Sequence, residues 1–291
     1  MEHKEHANGA IQKESVYGRL GKPKLTSALL GLIGEGEVYS LQMTLERGMP
    51  VFGGHPPYIL RPYFRHGETD GMLEGGAGFA TELTMMSQHT GTHIDALCHI
   101  SYERDGVRRL YGGVPIEGTQ SHDGISAWSI EQMPPIVTRG VLLDVAAAKG
   151  VDTLDDSYPI SRADLEEAMR LQGVEVRPGD CVLVRTGFTK YWKTDNERYL
   201  TRHAGVNEEA AAFLCELGVA VVGADTPTFE PLPAPRHPVH VLLLVEQGVP
   251  IIECLNLEEL SANRAYEFLF IATPLKLKGA TASMIHPLAI R

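Results

Sequence analysis

The sequence predicts a mixed α/β fold, because apolar runs typical of buried strands alternate with stretches typical of helices. The runs 140–145, 181–187 and 219–225 are short and apolar, as buried strands are. Between them, the stretches 162–169 and 207–214 each start at or just after a residue that can cap a helix. This order of strand, helix and strand indicates an α/β arrangement.

Composition sets the scale of the fold and argues against several classes of function. The 291 residues are 43% hydrophobic, which is enough for one large core or two at most. A formal net charge of −11 argues against a nucleic-acid-binding or anionic-membrane surface. No apolar run approaches the roughly 18 residues of a membrane span, and no signal peptide is visible, so we expect a cytoplasmic protein. The four cysteines are scattered without a Cys-x-x-Cys pair, and we expect them to be reduced.

The N-terminal part of the chain is polar. We expect residues 1–24 to form a mobile tail and residues 25–291 to form a single domain. Thr26 or Ser27 can cap a short helix that runs to Ile33. A short strand is then expected close behind it, before the first glycine- and proline-rich loop.

That loop, at 48–56, presents an aromatic ring and an imidazole. Phe52 has a flat apolar ring that can stack on a planar substrate, and it is equally consistent with an ordinary core residue. His55 is a second candidate for the substrate pocket.

The segment 61–78 is rich in glycine and charge and has little periodicity. We therefore expect an irregular excursion that covers a neighbouring subunit. Residues 79–87 then form a loosely alternating strand, which leads into the densest group of side chains able to bind a metal or transfer a proton.

The motif 88–99 contains three imidazoles and one carboxylate. His89, His93 and Asp95 supply neutral nitrogen and hard oxygen ligands, a set suited to Zn²⁺ or another borderline divalent metal. Three protein ligands leave a position for water or substrate, which is typical of a catalytic metal site. His99 is then left for proton transfer, and the glycine between the two ligating imidazoles permits a tight backbone path.

Other catalytic schemes fit the sequence less well. There is no Gly-x-Ser-x-Gly elbow, no His-Glu-x-x-His helix and no Gly-x-Gly-x-x-Gly loop that opens a helix after a strand. Cys98 lies beside His99, but a thiol next to a metal site is more often a packing residue than a nucleophile.

The motif resembles the His-x-Gly-Thr-His-x-Asp-x-Pro-x-His signature of the Putative cyclase family, which includes bacterial kynurenine formamidases and isatin hydrolases. Leu97 stands where the kynurenine formamidase pattern has proline, while every residue able to bind a metal is kept. The blocks 140–144 and 179–187 also match the family, so the likeness extends from about residue 20 to the C-terminus.

The resemblance implies a compact α/β domain with a mixed barrel-like sheet and flanking helices, described as a swivelling β/β/α arrangement. It also implies that a histidine and a strand-ending glutamate bring two further ligands to the metal centre, and His240 and Glu253 match those positions. Likeness to the kynurenine formamidases implies a site with two zinc ions, and likeness to the isatin hydrolases implies a site with one manganese ion. The expected cofactor is therefore Zn or Mn, as one or two ions. Subunits of the family exchange loops near the active site, so we expect a homodimer or larger homo-oligomer.

Together these residues predict metal-dependent hydrolysis of a C–N bond in a small formamide or cyclic amide. The metal would polarise the scissile carbonyl and lower the pKa of its water, and His99 would carry the proton to the leaving nitrogen. Lactone hydrolysis or a related cyclase reaction is an alternative on the same site, since an ester passes through the same kind of tetrahedral intermediate. The alternative from another class is a non-catalytic metal-binding module, which would show a closed coordination sphere and no turnover.

Overall fold

The computed structural model describes residues 17–291, and within them the main feature is a nine-stranded mixed sheet. In chain order the strands are β1 (Val38–Ser40), β2 (Ile59–Phe64), β3 (Thr81–Met85), β4 (His93–Asp95), β5 (Tyr102–Arg104), β6 (Val107–Arg109), β7 (Gln120–Ser121), β8 (Gly124–Ile125), β9 (Ile136–Asp144), β10 (Pro159–Ile160), β11 (Cys181–Arg185), β12 (Gly205–Val206), β13 (Val221–Ala224), β14 (Ile251–Glu253), β15 (Glu267–Ala272), β16 (Ala282–Met284) and β17 (Leu288–Ile290). The helices are α1 (Ser27–Leu30), α2 (Val145–Ala148), α3 (Arg162–Gln172), α4 (Asn196–Thr201), α5 (Glu208–Glu216), α6 (Pro238–His240) and α7 (Glu258–Ala262). Short 3₁₀ segments and one π-helical segment complete the fold: Glu74–Gly76, Tyr111–Gly113, Ile130–Gln132, Phe188–Tyr191 and the π-helical Val241–Gln247, which continues α6.

The strands of the central sheet follow the order β1–β17–β15–β9–β11–β13–β14–β4–β16. The middle strands β9, β11, β13 and β14 run parallel to one another. On both sides the outer strands are antiparallel to their neighbours. The predicted α/β fold with a mixed barrel-like sheet is confirmed.

The parallel strands are apolar because both of their faces are covered. Every residue of β11 and β13 is buried, and so is the last half of β9. Helix α3, which lies in the chain between β9 and β11, begins at a capping box formed by Ser161 and Asp164 and ends at Gly173, whose φ is 68°. Continuous apolar runs and cap residues were therefore sufficient to predict these elements.

Two predicted boundaries in the N-terminal part of the chain differ from the structure. The predicted mobile tail covers residues 1–24, of which residues 1–16 lie outside the described part of the chain. Tyr17 and Leu20 are 3% and 6% exposed and belong to the apolar core, so the packed domain begins before residue 25. Helix α1 ends at Leu30 rather than Ile33, because the amides of Leu32 and Ile33 bond three residues back and form a tight turn.

The segment predicted to be irregular contains a strand. Its first residues belong to β2, which pairs with β3 in a two-stranded hairpin outside the central sheet. Every residue of β3 is exposed. The prediction of an irregular excursion is therefore wrong for residues 61–64, because sequence alternation is weak where neither face of a strand is buried.

Two expectations from composition can be compared with the described residues. No helix within residues 17–291 combines the length and the apolarity that crossing a membrane requires. All four cysteines are free and buried.

Candidate metal centre

Three of the candidate ligands lie on two neighbouring strands of the central sheet. His93 and Asp95 are the first and last residues of β4, two positions apart, so their side chains point to the same face. Glu253 ends β14 and pairs directly with His93 across the antiparallel ladder. Directly opposed residues share a face. Strand pairing therefore brings one imidazole and two carboxylates to the same place.

The loop before β4 requires a glycine at position 91. Gly91 has φ 67°, and a Cβ there would lie 2.5 Å from Leu45 Cδ2. Its carbonyl accepts a hydrogen bond of 2.8 Å from His93 Nδ1. His93 therefore turns its other nitrogen, Nε2, toward the carboxylates.

Thr92 ties the same loop to the strand that carries Glu253. Its hydroxyl donates to the Cys254 carbonyl at 2.6 Å and accepts from the Met43 amide at 2.8 Å. The side chain is fully buried, so these two bonds fix the register of the loop against its neighbours.

The six candidate metal and proton-transfer side chains form one cluster. Its nitrogen–oxygen distances are His89 Nδ1–Asp95 Oδ1 2.8 Å, His93 Nε2–Asp95 Oδ1 3.4 Å, His93 Nε2–Glu253 Oε2 3.3 Å, His240 Nε2–Glu253 Oε1 3.1 Å, His240 Nε2–Asp95 Oδ2 3.6 Å and His99 Nε2–Asp95 Oδ2 4.0 Å. The structure thus brings to one place residues from both halves of the chain, including His240 and Glu253, which the family resemblance implied.

Within the cluster, two sets of three potential ligands share Asp95. They are His89, Asp95 and His99 in one set, and His93, Asp95 and Glu253 in the other. His240 lies beside the second set. The sequence grouped His93 with His89 and set His99 apart for proton transfer, whereas the structure places His93 with Glu253 and His99 with His89. The division between ligands and proton carrier stays a prediction.

Buried atoms at the centre of the cluster lack hydrogen-bond partners among the described residues. They are His93 Nε2, both carboxylate oxygens of Asp95, and Glu253 Oε1. Imidazole nitrogens lie close to these oxygens but off the hydrogen-bond direction. A buried carboxylate without a partner is costly. Bound cations would provide partners for these atoms, and the imidazoles of His93 and His240 with the carboxylates of Asp95 and Glu253 are a donor set that Zn²⁺ and Mn²⁺ accept. The residues therefore fit a divalent metal.

The charges in the cluster shift the protonation of its members. Burial opposes a charge on His93, but Asp95 and Glu253 outweigh it and raise the pKa of His93 to about 10. Burial also opposes a charge on His240, yet Glu230 and Asp95 raise its pKa well above the ordinary value. Two of the imidazoles thus neutralise the carboxylates when no cation is bound.

His99 behaves differently from these two imidazoles. Burial lowers the pKa of His99 to about 3, against the opposing attraction of Asp95. Its ring lies 4.0 Å from that of His89, centroid to centroid, and its side chain is 26% exposed. A neutral imidazole at the rim of the cluster offers a nitrogen lone pair to a bound molecule, and its low pKa makes it a weak base that gives a proton back readily.

The sequence analysis missed one carboxylate next to the cluster. Glu230 is 1% exposed, and its Oε2 accepts a hydrogen bond from His240 Nδ1. The available signal was its position, since Glu230 follows the buried parallel strand β13 on the side where β14 delivers Glu253.

Thr281 was missed as well, and it contacts the other end of the cluster. Its hydroxyl lies 2.9 Å from His89 Nε2, while His89 Nδ1 faces Asp95. The two residues are 192 positions apart in the chain, and nothing in the local sequence around position 281 marks such a contact.

Of the two candidate substrate-binding residues, His55 lies next to the cluster and Phe52 lies beyond His55. The His55 ring is 5.7 Å from the His89 ring, and the Phe52 ring is 6.3 Å from His55. His55 Nδ1 is buried without a hydrogen-bond partner in the described residues, and burial lowers the pKa of His55. Both side chains are partly exposed, so a ligand near the cluster can reach them.

At the sequence level, a family model and individual relatives both match this chain. The model of the Putative cyclase family matches residues 39–231. Kynurenine formamidase from Bacillus cereus is 28% identical over 213 residues, which cover 73% of this chain and 80% of that protein. Kynurenine formamidase from Geobacillus thermodenitrificans is 25% identical over 246 residues, which cover 84% of this chain and 93% of that protein.

Solved structures share the fold. The crystal structure of a novel cyclase superimposes with a TM-score of 0.84 at 29% identity, covering 96% of this chain and 98% of the other. Isatin hydrolase A from Labrenzia aggregata, bound to benzyl benzoate, superimposes with a TM-score of 0.64 at 24% identity, covering 87% of this chain and 93% of the other. At that identity the second likeness is one of fold alone.

Proposed function

Because the chain belongs to the Putative cyclase family, we propose that it is a metal-dependent hydrolase that cleaves a C–N bond in a small formamide or cyclic amide. One observation supports this most: the buried, unpartnered oxygens of Asp95 and Glu253 face the imidazoles of His93 and His240. The kynurenine formamidases at 28% identity or below support the formamide class.

The residues that would hold the metal are His89, His93, Asp95, His240 and Glu253. Zn²⁺ and Mn²⁺ both suit this set, and the carboxylate of Asp95 reaches imidazoles on both of its sides, which allows one ion or two. A divalent cation supplies Lewis acidity, which polarises a carbonyl and acidifies water.

His99 is the proposed proton carrier. Hydrolysis adds water across the C–N bond: an oxygen bonds to the carbonyl carbon, the C–N bond breaks, and the nitrogen leaves with one proton more. His99 is neutral, so Nε2 offers a lone pair that would accept the proton from water and return it to the leaving nitrogen; the low pKa that burial gives His99 opposes the first of these transfers and favours the second. Its ring contact with His89 keeps it close to the reacting groups.

Phe52 and His55 are the proposed substrate-binding residues. The Phe52 ring can stack on a planar aromatic or heterocyclic substrate, and such contacts are worth about 0.5–1.5 kcal/mol beyond area burial. The unpartnered Nδ1 of His55 offers a hydrogen bond to a polar substituent.

The proposal is tested by metal analysis of the purified protein, followed by assays with N-formylkynurenine, isatin and simple lactones. We expect cleavage of an amide that disappears on chelation and returns with Zn²⁺ or Mn²⁺. Cleavage of lactones alone would replace the amide reaction by ester hydrolysis. Tight metal binding without turnover of any of these compounds would favour a non-catalytic metal-binding protein.

Two variants separate the assigned roles. His93→Ala should lose metal and activity together, because it removes a ligand. His99→Ala should keep its metal and lose roughly 10²–10⁴-fold in turnover, the usual contribution of a positioned acid–base group. Loss of metal in His99→Ala would instead make His99 a ligand, as its proximity to His89 and Asp95 allows.

A further inference from the structure

A buried carboxylate behind the cluster contacts two imidazoles that belong to one short segment. Glu230 is 1% exposed, and its Oε2 accepts from His240 Nδ1. Its Oε1 lies 3.2 Å from His237 Nδ1, at the residue that precedes α6. Glu230 is therefore the charged partner of the segment that carries His240.

The contact decides which nitrogen of His240 faces the metal cluster. With Nδ1 donating to Glu230, Nε2 points at Glu253 Oε1, 3.1 Å away, and at Asp95 Oδ2, 3.6 Å away. We propose that Glu230 is a positioning residue that fixes the tautomer and the ring orientation of His240, so that Nε2 is the nitrogen offered to the metal. The inference rests on the metal centre of the proposed function.

His93 provides an internal comparison for this arrangement. Its Nδ1 donates to the Gly91 carbonyl, and its Nε2 likewise faces Asp95 and Glu253. Both imidazoles are thus held through Nδ1 and present Nε2. A carboxylate is a stronger acceptor than a neutral carbonyl, and it raises the basicity of the imidazole that donates to it. Glu230 should therefore strengthen His240 as a ligand as well as orient it.

Burial of Glu230 would be costly without such a role. A carboxylate removed from water requires a charged or donating partner. Within residues 17–291, its side-chain oxygens face only His237 and His240 among charged groups. An apolar side chain at position 230 would avoid that cost if shape were all that the site required.

The test is Zn²⁺ affinity, measured on the full chain by competition with a chelator. Glu230→Gln should weaken binding roughly 10–100-fold, the usual effect of removing a partner of a metal-bound imidazole. Glu230→Leu, which removes the acceptor altogether, should weaken it at least as much. His237→Asn is the matched control, since it removes the imidazole at Oε1 and leaves the contact with His240, and it should bind Zn²⁺ as the wild type does.

A double-variant cycle separates positioning from general stability. In a His240→Ala background, Glu230→Gln should cause no further loss of Zn²⁺ affinity, because the imidazole that it orients is gone. An equal loss in both backgrounds would mean that Glu230 acts on the fold, and the inference would be wrong. The ¹⁵N spectrum of Zn²⁺-loaded wild-type protein should show His240 protonated at Nδ1 only, and protonation at Nε2 would also overturn the inference.

The outcomes distinguish this inference from the proposed function. If the wild type binds no Zn²⁺ or Mn²⁺, the metal centre itself fails, and the inference fails with it. If the wild type binds a metal and Glu230→Leu, which has no acceptor for Nδ1, binds it equally well, the inference alone fails.

Discussion

Replacing Gly91 by alanine should strain the loop between His89 and His93, and the structure separates the strain into two parts. An alanine at φ 67° costs about 1–2 kcal/mol, because Cβ crowds the following carbonyl in the left-handed region. The new Cβ would also lie 2.5 Å from Leu45 Cδ2. Leu45 is only partly buried and can move, so displacing its side chain should add about 0.5–1.5 kcal/mol.

The expected total is a loss of about 1.5–3.5 kcal/mol in the free energy of unfolding. It is measured by denaturant unfolding of the cation-free protein. Zn²⁺ affinity should fall as well, because the Gly91 carbonyl holds Nδ1 of His93. In a Leu45→Ala background the cost of Gly91→Ala should drop to the backbone part alone, about 1–2 kcal/mol.

Gly150→Ala is the matched control for this prediction. Gly150 has φ 71°, and a Cβ there would have no described atom within 4 Å. It should therefore show the backbone cost alone and leave Zn²⁺ affinity unchanged. If Gly91→Ala costs no more than Gly150→Ala and binds Zn²⁺ normally, the reasoning about this loop is refuted.

Three further predictions concern pH, assembly and the N-terminal segment. Because the pKa of His93 is raised to about 10 without a cation, metal binding must displace its proton at neutral pH. Zn²⁺ affinity, measured by chelator competition, should therefore fall about tenfold per displaced proton when the pH is lowered from 8 to 7, and an affinity independent of pH would contradict this. The exposed apolar side chains of the β2–β3 hairpin, among them Tyr63, Leu83 and Met85, should contact a second copy of the chain. Light scattering should give a dimer or larger assembly, and Leu83→Glu should weaken that assembly. A monomeric wild-type mass at micromolar concentration would refute this prediction. Tyr17→Phe should cost about 1–3 kcal/mol in denaturant unfolding, because the Leu97 amide loses its buried acceptor, and an unchanged midpoint would show that this bond contributes nothing.

Much of the fold could be predicted from the sequence because its signals are local. Strands buried on both faces require continuous apolar runs, and helices require caps, so β11, β13, α3 and α5 lie close to their predicted positions. In the hairpin, β3 lies within the strand predicted at 79–87, whereas β2 lacked such a signal, since most of its residues are exposed.

The sequence by itself also indicated the chemistry of the candidate site, because four of its six donors are concentrated in one motif. The spacing of His93 and Asp95 matches the two-residue period of a strand, which places both side chains on one face. Only the tertiary structure decided how the donors are grouped and what supports them. Glu253 reaches His93 through strand pairing, Thr281 reaches His89 across 192 positions, and Glu230 reaches His240 from the segment after β13. Contacts of this kind depend on the order of strands in the sheet, and the spacing of residues along the chain carries no information about that order.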